Sequence, residues 1–153
     1  MGEAACYAHM LDDQGRMPDP PRVRIERLAE VGHIDPSEIR ILIDRTWPHG
    51  VDKDSLILDG WARQLAPSSE LRRWLAHDSR RWPEFQHRYL RELAQNLGEL
   101  RRLSVLARGG HLILVHSASD EKHNHAVVLK ELFEEAAQEG ASIGVILSQH
   151  TTA

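Results

Sequence analysis

The chain has 153 residues, 41% of them apolar and 27% charged, which suffices for the core of one ordinary domain. No apolar run approaches the roughly 20 residues of a membrane-spanning helix, and the start, MGEAACYAHML, lacks the basic and apolar blocks of a signal peptide, so a cytoplasmic location is expected. A net charge of −4 argues against a surface that grips nucleic acid throughout, and the single cysteine, Cys6, excludes an internal disulfide.

Residues 1–20 show no sustained period and end in MPDPP, which reads as a flexible leader before a single domain over 21–153. RVRIERLAEV, from Arg22, alternates Val23 and Ile25 and suits a strand with one wetter face. IRILIDR, 39–45, is a short continuous apolar run and suits a buried strand. DGWARQLAP reads as a short helix stopped by Pro67, and SSELRRWLAH as another with Ser68 as its N-cap. From Pro83, leucines 90, 93, 97, 100 and 103 recur at three and four residues, predicting one long helix that Gly109-Gly110 ends. HLILVHSA, 111–118, has the apolar density of a central strand. The next segment, closed by Gly140, predicts an amphipathic helix capped by Ser119 or Asp120, and SIGVIL, 142–147, a further strand. Strand, helix, strand at this spacing implies a right-handed parallel crossover. The expected architecture is a single three-layer α/β domain, with helices packed on a small, mostly parallel sheet of about four strands.

In such sheets ligands bind beyond the carboxyl ends of the strands. Asp44 and Arg45 close one strand, and Ser117 to Asp120 close another. If the two strands are parallel neighbours, their loops face one crevice. Free N–H groups around 117–121 would favour an anion there. Asp44, Arg45 and Trp47 form one expected wall and Ser117 to Asp120 a second, with His77 closing the third side and Arg45 and Arg72 as the expected anion clamps. His123, expected in the first helical turn, is the candidate acid/base partner of Asp44, while Asn124 would orient a ligand. Other chemistries fit less well. His123 and His125 lie two apart and cannot chelate one ion from the same helix face, and no Cys pair or HExxH completes a metal site. Ser117, His77 and Asp44 can be drawn as a triad, but VHSASDE lacks the glycines of a nucleophile elbow. No Walker loop or GxGxxG implies a cofactor. The rival reading is a nucleic-acid or regulatory module, because segment 72–91 interleaves Arg72, Arg73, Arg80 and Arg81 with Trp74, Trp82, Phe85 and Tyr89. Helical spacing explains the same aromatics as core.

LIDRTWPHGVDK, WARQLAPSSELRRWLAHD, RWPEFQHRYLREL and LVHSASDEKHNHAVVLKEL together resemble successive blocks of the YeaO-like bacterial proteins, domain of unknown function 488, from about residue 22 to 138. The resemblance implies a compact cytoplasmic α/β domain and no established reaction, substrate or cofactor. Thr46 and His49 stand where the family pattern resembles leucine and arginine, and HSAS replaces a usual tyrosine and alanines after the central strand. Loss of an arginine at 49 would weaken an anion site that needed it. The expected function is therefore a polar pocket for an anionic small molecule, such as a nucleotide or phosphorylated metabolite, with no cofactor.

Overall fold

The computed structural model of the protein describes residues 13–16, 22–28, 35–109 and 111–151. Cys6 and the leader, apart from a turn at 13–16, lie outside the described residues.

Four strands, β1 (Arg22–Arg27), β2 (Glu38–Leu42), β3 (Gly60–Trp61) and β4 (His111–His116), form one sheet in the order β1-β4-β2-β3, and every pairing is parallel. β4 lies between β1 and β2, which is why HLILVH is apolar almost throughout. The expected small parallel sheet is present, but its fourth strand is not at 142–147. That segment belongs to a helix, because Ile143, Ile146 and Leu147 are the buried positions and fall at helical spacing. The crossover inferred from it is therefore absent. The actual edge strand, Gly60–Trp61, lies in DGWARQLAP, of which only Arg63–Leu65 makes a helical turn, of the tight 3-10 kind. Gly60 permits this close approach: a Cβ there would sit 3.1 Å from Ile41 Cδ1.

Among the described residues the helices are α1 (Ser69–Leu75), α2 (Trp82–Leu93), α3 (Leu97–Gly109), α4 (His125–Glu139) and α5 (Ile143–Thr151). Ser68 caps α1 as expected, its hydroxyl accepting the Leu71 N–H at 3.1 Å. The leucine stripe runs along two helices rather than one. Ala94–Asn96 tightens into a 3-10 turn, where the Asn96 side chain donates back to the Glu92 carbonyl at 3.5 Å. Gly140, with φ of 60°, ends α4 as the sequence predicts.

The apolar faces of the five helices among the described residues gather with Val23, Ile41, Ile43, Leu112 and Leu114 on one side of the sheet. On the other side, Leu42, Ile113 and Val115 meet Leu28, Trp47, Leu58 and Trp61. No helix among the described residues is long and apolar enough to cross a membrane. Because all strands run the same way, their carboxyl ends share one edge, and the loops leaving β2 and β4 are neighbours.

Candidate functional site

At that edge the ladder extends one step beyond the strands, with Ile43 N–H donating to Val115 O at 3.0 Å. The Trp61 indole N–H fixes the next residue by donating to Asp44 O at 2.7 Å. The Asp44 side chain, only 7% exposed, then reaches across to β4's exit. Its Oδ2 accepts the Ser117 backbone N–H at 3.1 Å and also the Ser117 hydroxyl. Its Oδ1 lies 3.4 Å from His125 Nε2. That nitrogen is also 3.1 Å from Ile43 O, and a carbonyl can only accept, so His125 carries its hydrogen on Nε2. The neighbouring His116, buried, carries its hydrogen on Nε2 as well, because its Nδ1 accepts the Ala118 N–H at 3.1 Å. Burial pushes the Asp44 carboxyl up, but the hydrogen bonds from His125 and Ser117 and the adjacent imidazoles outweigh it, holding it below its usual 3.8. Asp44 is thus a fixed negative charge at neutral pH and has no proton to give.

The loop after β4 uses up its own donors. Asp120 Oδ1 accepts both the Lys122 and His123 N–H groups at 2.9 Å, and these hold its carboxyl below the ordinary range. The helix starts later than expected. Asn124, not Ser119 or Asp120, is the N-cap of α4: its Oδ1 accepts from Val127 N at 3.2 Å and its Nδ2 donates to Asp120 O at 2.8 Å. His123 therefore precedes the helix and the field of its first turn. Its ring leans on Trp82 with centroids 5.1 Å apart, and its Nδ1 lies 3.5 Å from Asp120 Oδ2. The N–H groups at 117, 118, 122 and 123 are likewise spent within the protein and do not form an open anion nest.

These residues line a cleft of about 690 Å³. Asp44, Ser117, Asn124 and His125 lie on one side with Asp120 and His123, and Arg72, Arg73 and His77 of α1 and its exit face them. Arg73 Nε donates to Ser69 O at 3.3 Å, whereas the side chains of Arg72 and His77 have no hydrogen-bond or ion-pair partner among the described residues. The rim is strained where it turns: Ala76 and His77 are consecutive non-glycine residues with φ of 45° and 61°. Replacing Ala76 by glycine should raise the unfolding free energy by about 1 kcal/mol in a urea titration. No gain would show that the turn is not held left-handed.

Two expected members of the site are elsewhere. Arg45 points away from the cleft and its Nε donates to Pro67 O at 3.3 Å. Trp47 seals its own loop, donating to Val51 O at 2.7 Å and meeting Trp61 edge-on at 5.6 Å. Thr46 and His49, the departures from the family pattern, are exposed and do not line the cleft. Among the described residues no group of three or more His, Cys, Asp or Glu is arranged to hold a metal. The aromatics of segment 72–91 are engaged in packing. Trp82 stacks on Phe85 at 5.2 Å, Phe85 and Tyr89 are buried, and Arg88 and Arg81 lie over the Trp74 ring at 4.3 and 5.3 Å.

The family model described as the inactive DUF488-N3 subclade matches residues 22–147, from the first strand into the last helix. The chain belongs to that subclade. The uncharacterized protein YeaO of Escherichia coli (strain K12) is 41% identical to it over 101 residues, covering 63% of this chain and 88% of YeaO. The uncharacterized protein Mb3100c of Mycobacterium bovis is 40% identical over 115 residues, 72% of this chain and 92% of that protein. An uncharacterized protein of Mycobacterium tuberculosis, Rv3073c, matches to the same extent, 40% over 115 residues. No solved structure matches. All residues that line the cleft of this DUF488 domain fall inside the matched span.

Sequence reasoning did not single out His125, whose Nε2 lies 3.4 Å from the Asp44 carboxylate. Its signal was the Asn124 cap: with the helix start placed there, His125 becomes the first helical residue, directly behind the end of β2. Arg73 and Phe85 also line the cleft without having been expected there.

Proposed function

We propose that this domain binds a small anionic molecule, of the size of a nucleotide or phosphorylated metabolite, and does not transform it. The observation that carries this reading is the polarity of the cleft: Arg72 and His77, unengaged among the described residues, face an ionised Asp44 across about 690 Å³. A ligand with a phosphate or carboxylate at one end and an amine or hydroxyl at the other satisfies both sides, the first through the guanidinium fork and the second through the Asp44 carboxylate. The subclade's description as inactive agrees with the chemistry of the floor. The Ser117 hydroxyl donates its proton to a carboxylate held below its usual range, which is a poor base, so the serine is not activated as a nucleophile. Asp44 and His123, the acid/base candidates, serve on this reading as a polar anchor and a wall.

A thermal-shift panel of inorganic phosphate, common nucleotides and sugar phosphates tests the proposal. A true ligand at about 100 times its dissociation constant should stabilise the protein by roughly 2.7 kcal/mol, an upward shift of about 5–10 °C in a domain of this size. Arg72→Gln, an exposed change, should cut the shift by half or more and leave the melting temperature of the free protein in place. A flat panel defeats the reading. A shift with a single-stranded oligonucleotide alone, falling steeply with salt, would return the weight to the arginine segment.

A further inference from the structure

Asp44 and Arg45 are adjacent in the chain, yet they enter different clefts. The one that receives Arg45 has a volume of about 180 Å³ and lies between the 63–65 turn and the end of α2. Its buried base is Ala66, Tyr89 and Leu93, and the Tyr89 hydroxyl is already spent on Leu65 O. Its walls carry the polar groups Arg45, Gln64, Glu92, Gln95 and Asn96.

One peptide unit organises these walls. Arg45 Nε donates to Pro67 O at 3.3 Å, and Ser68 N–H, the other end of the same peptide bond, donates to the Glu92 oxygens at 2.8 and 3.1 Å. A cation and an anion are thereby held on opposite ends of one planar unit, at most about 8 Å apart. No ion pair joins them among the described residues, and the two terminal nitrogens of Arg45 have no partner there. A guanidinium edge with two unspent donors matches a carboxylate, and a carboxylate at that distance matches an ammonium group. We infer that this cleft is a binding site for a small zwitterion of the α-amino acid class, its carboxylate on Arg45 and its ammonium on Glu92. The volume restricts the occupant to short side chains, and the amides of Gln64 and Gln95, unpartnered among the described residues, can complete its hydrogen bonds.

The site is also wired to the larger cleft. The peptide that its two charged residues grip leads into Ser68, whose hydroxyl caps α1, and α1 carries Arg72 and Arg73. The inference stands whether or not the larger cleft binds an anion.

An amide-resolved NMR titration of the full chain tests it, with glycine, L-serine, acetate and methylammonium each taken to about 10 mM, ten times a millimolar dissociation constant. Glycine or serine should produce saturable shifts at the Ser68 and Leu71 amides, with acetate and methylammonium at least about tenfold weaker. Glu92→Gln keeps an oxygen for the Ser68 N–H while removing the charge, and should weaken binding about fivefold or more. Arg45→Lys, which keeps the charge and loses the fork, is the second variant and should weaken it about threefold or more. Absence of a saturable shift with either amino acid, an equal response to acetate, or affinity unchanged in whichever variant retains the wild-type spectrum would each overturn the inference.

Discussion

Replacing Glu26 by alanine should cost about 3 kcal/mol of unfolding free energy, more than its partly exposed position suggests. The reason is Arg40, in β2 on the sheet face away from the helices and only 1% exposed. Its Nη2 donates to Glu26 Oε2 at 2.6 Å, while Nε and Nη1 are buried with no hydrogen-bond partner among the described residues. Removing Glu26 leaves a permanent charge in the sheet with no acceptor, and leaving one member of a buried pair alone costs about 3–5 kcal/mol. The low end applies because the Glu26 side chain is itself 19% exposed and Arg24, which pairs with Glu26 at 2.8 Å, also holds Glu38 at 2.9 Å. Arg40→Met should be far milder, since it removes the charge and its two unpaired nitrogens together. The double variant should resemble Arg40→Met alone, giving a coupling of about 2 kcal/mol or more by urea unfolding at constant slope. A loss below about 1 kcal/mol for Glu26→Ala would mean that water reaches Arg40.

The second large effect is at Asp44. Asp44→Ala deletes the acceptor of a backbone N–H, a hydroxyl and an imidazole in one step, and about 2–4 kcal/mol should go with it. Asp44→Asn should cost less and should change the pH dependence. The folded carboxyl titrates below its usual 3.8, so the unfolded chain takes up its proton first on acidification. Its stabilising contribution is complete above about 3.8 and disappears as pH falls through the lower folded value. Between about pH 6 and about pH 3, wild type should therefore lose more stability than Asp44→Asn, and the difference isolates this residue from other acids. Equal losses would show that Asp44 titrates normally, and the account of a permanently ionised cleft floor would fail.

Much of this arrangement was legible in the residues. The apolar runs of β2 and β4 were dense enough to identify as buried strands, and the rule that ligands meet the carboxyl ends of parallel strands led to Asp44 and Ser117, which hydrogen-bond each other. The rest was hidden for distinct reasons. Arg45 and Trp47 were assigned to the Asp44 wall by nearness in sequence, yet extended backbone sends consecutive side chains to opposite sides, and Arg45 followed that alternation. His125 was hidden by a choice of caps: Ser119, Asp120 and Asn124 all suit an N-cap, and only tertiary packing selects Asn124. At 142–147 the apolar residues served helix and strand equally well, and the buried positions of α5 decided between them. The edge strand Gly60–Trp61, two residues long, has no period to detect.

The strand order has a consequence for how the chain is made. β1 and β2 never pair with each other; both pair with β4, whose residues begin at His111. A chain emerging from the ribosome therefore carries two strands without their central partner through some seventy residues of further synthesis, counting from Leu42 to His111. Helices α1 to α3 can form locally in that interval, but the sheet cannot close. Sheet formation is thus a late event dominated by distant pairings, the slow regime of folding, and the exposed edges of β1 and β2 are the surfaces through which a truncated or stalled chain would aggregate.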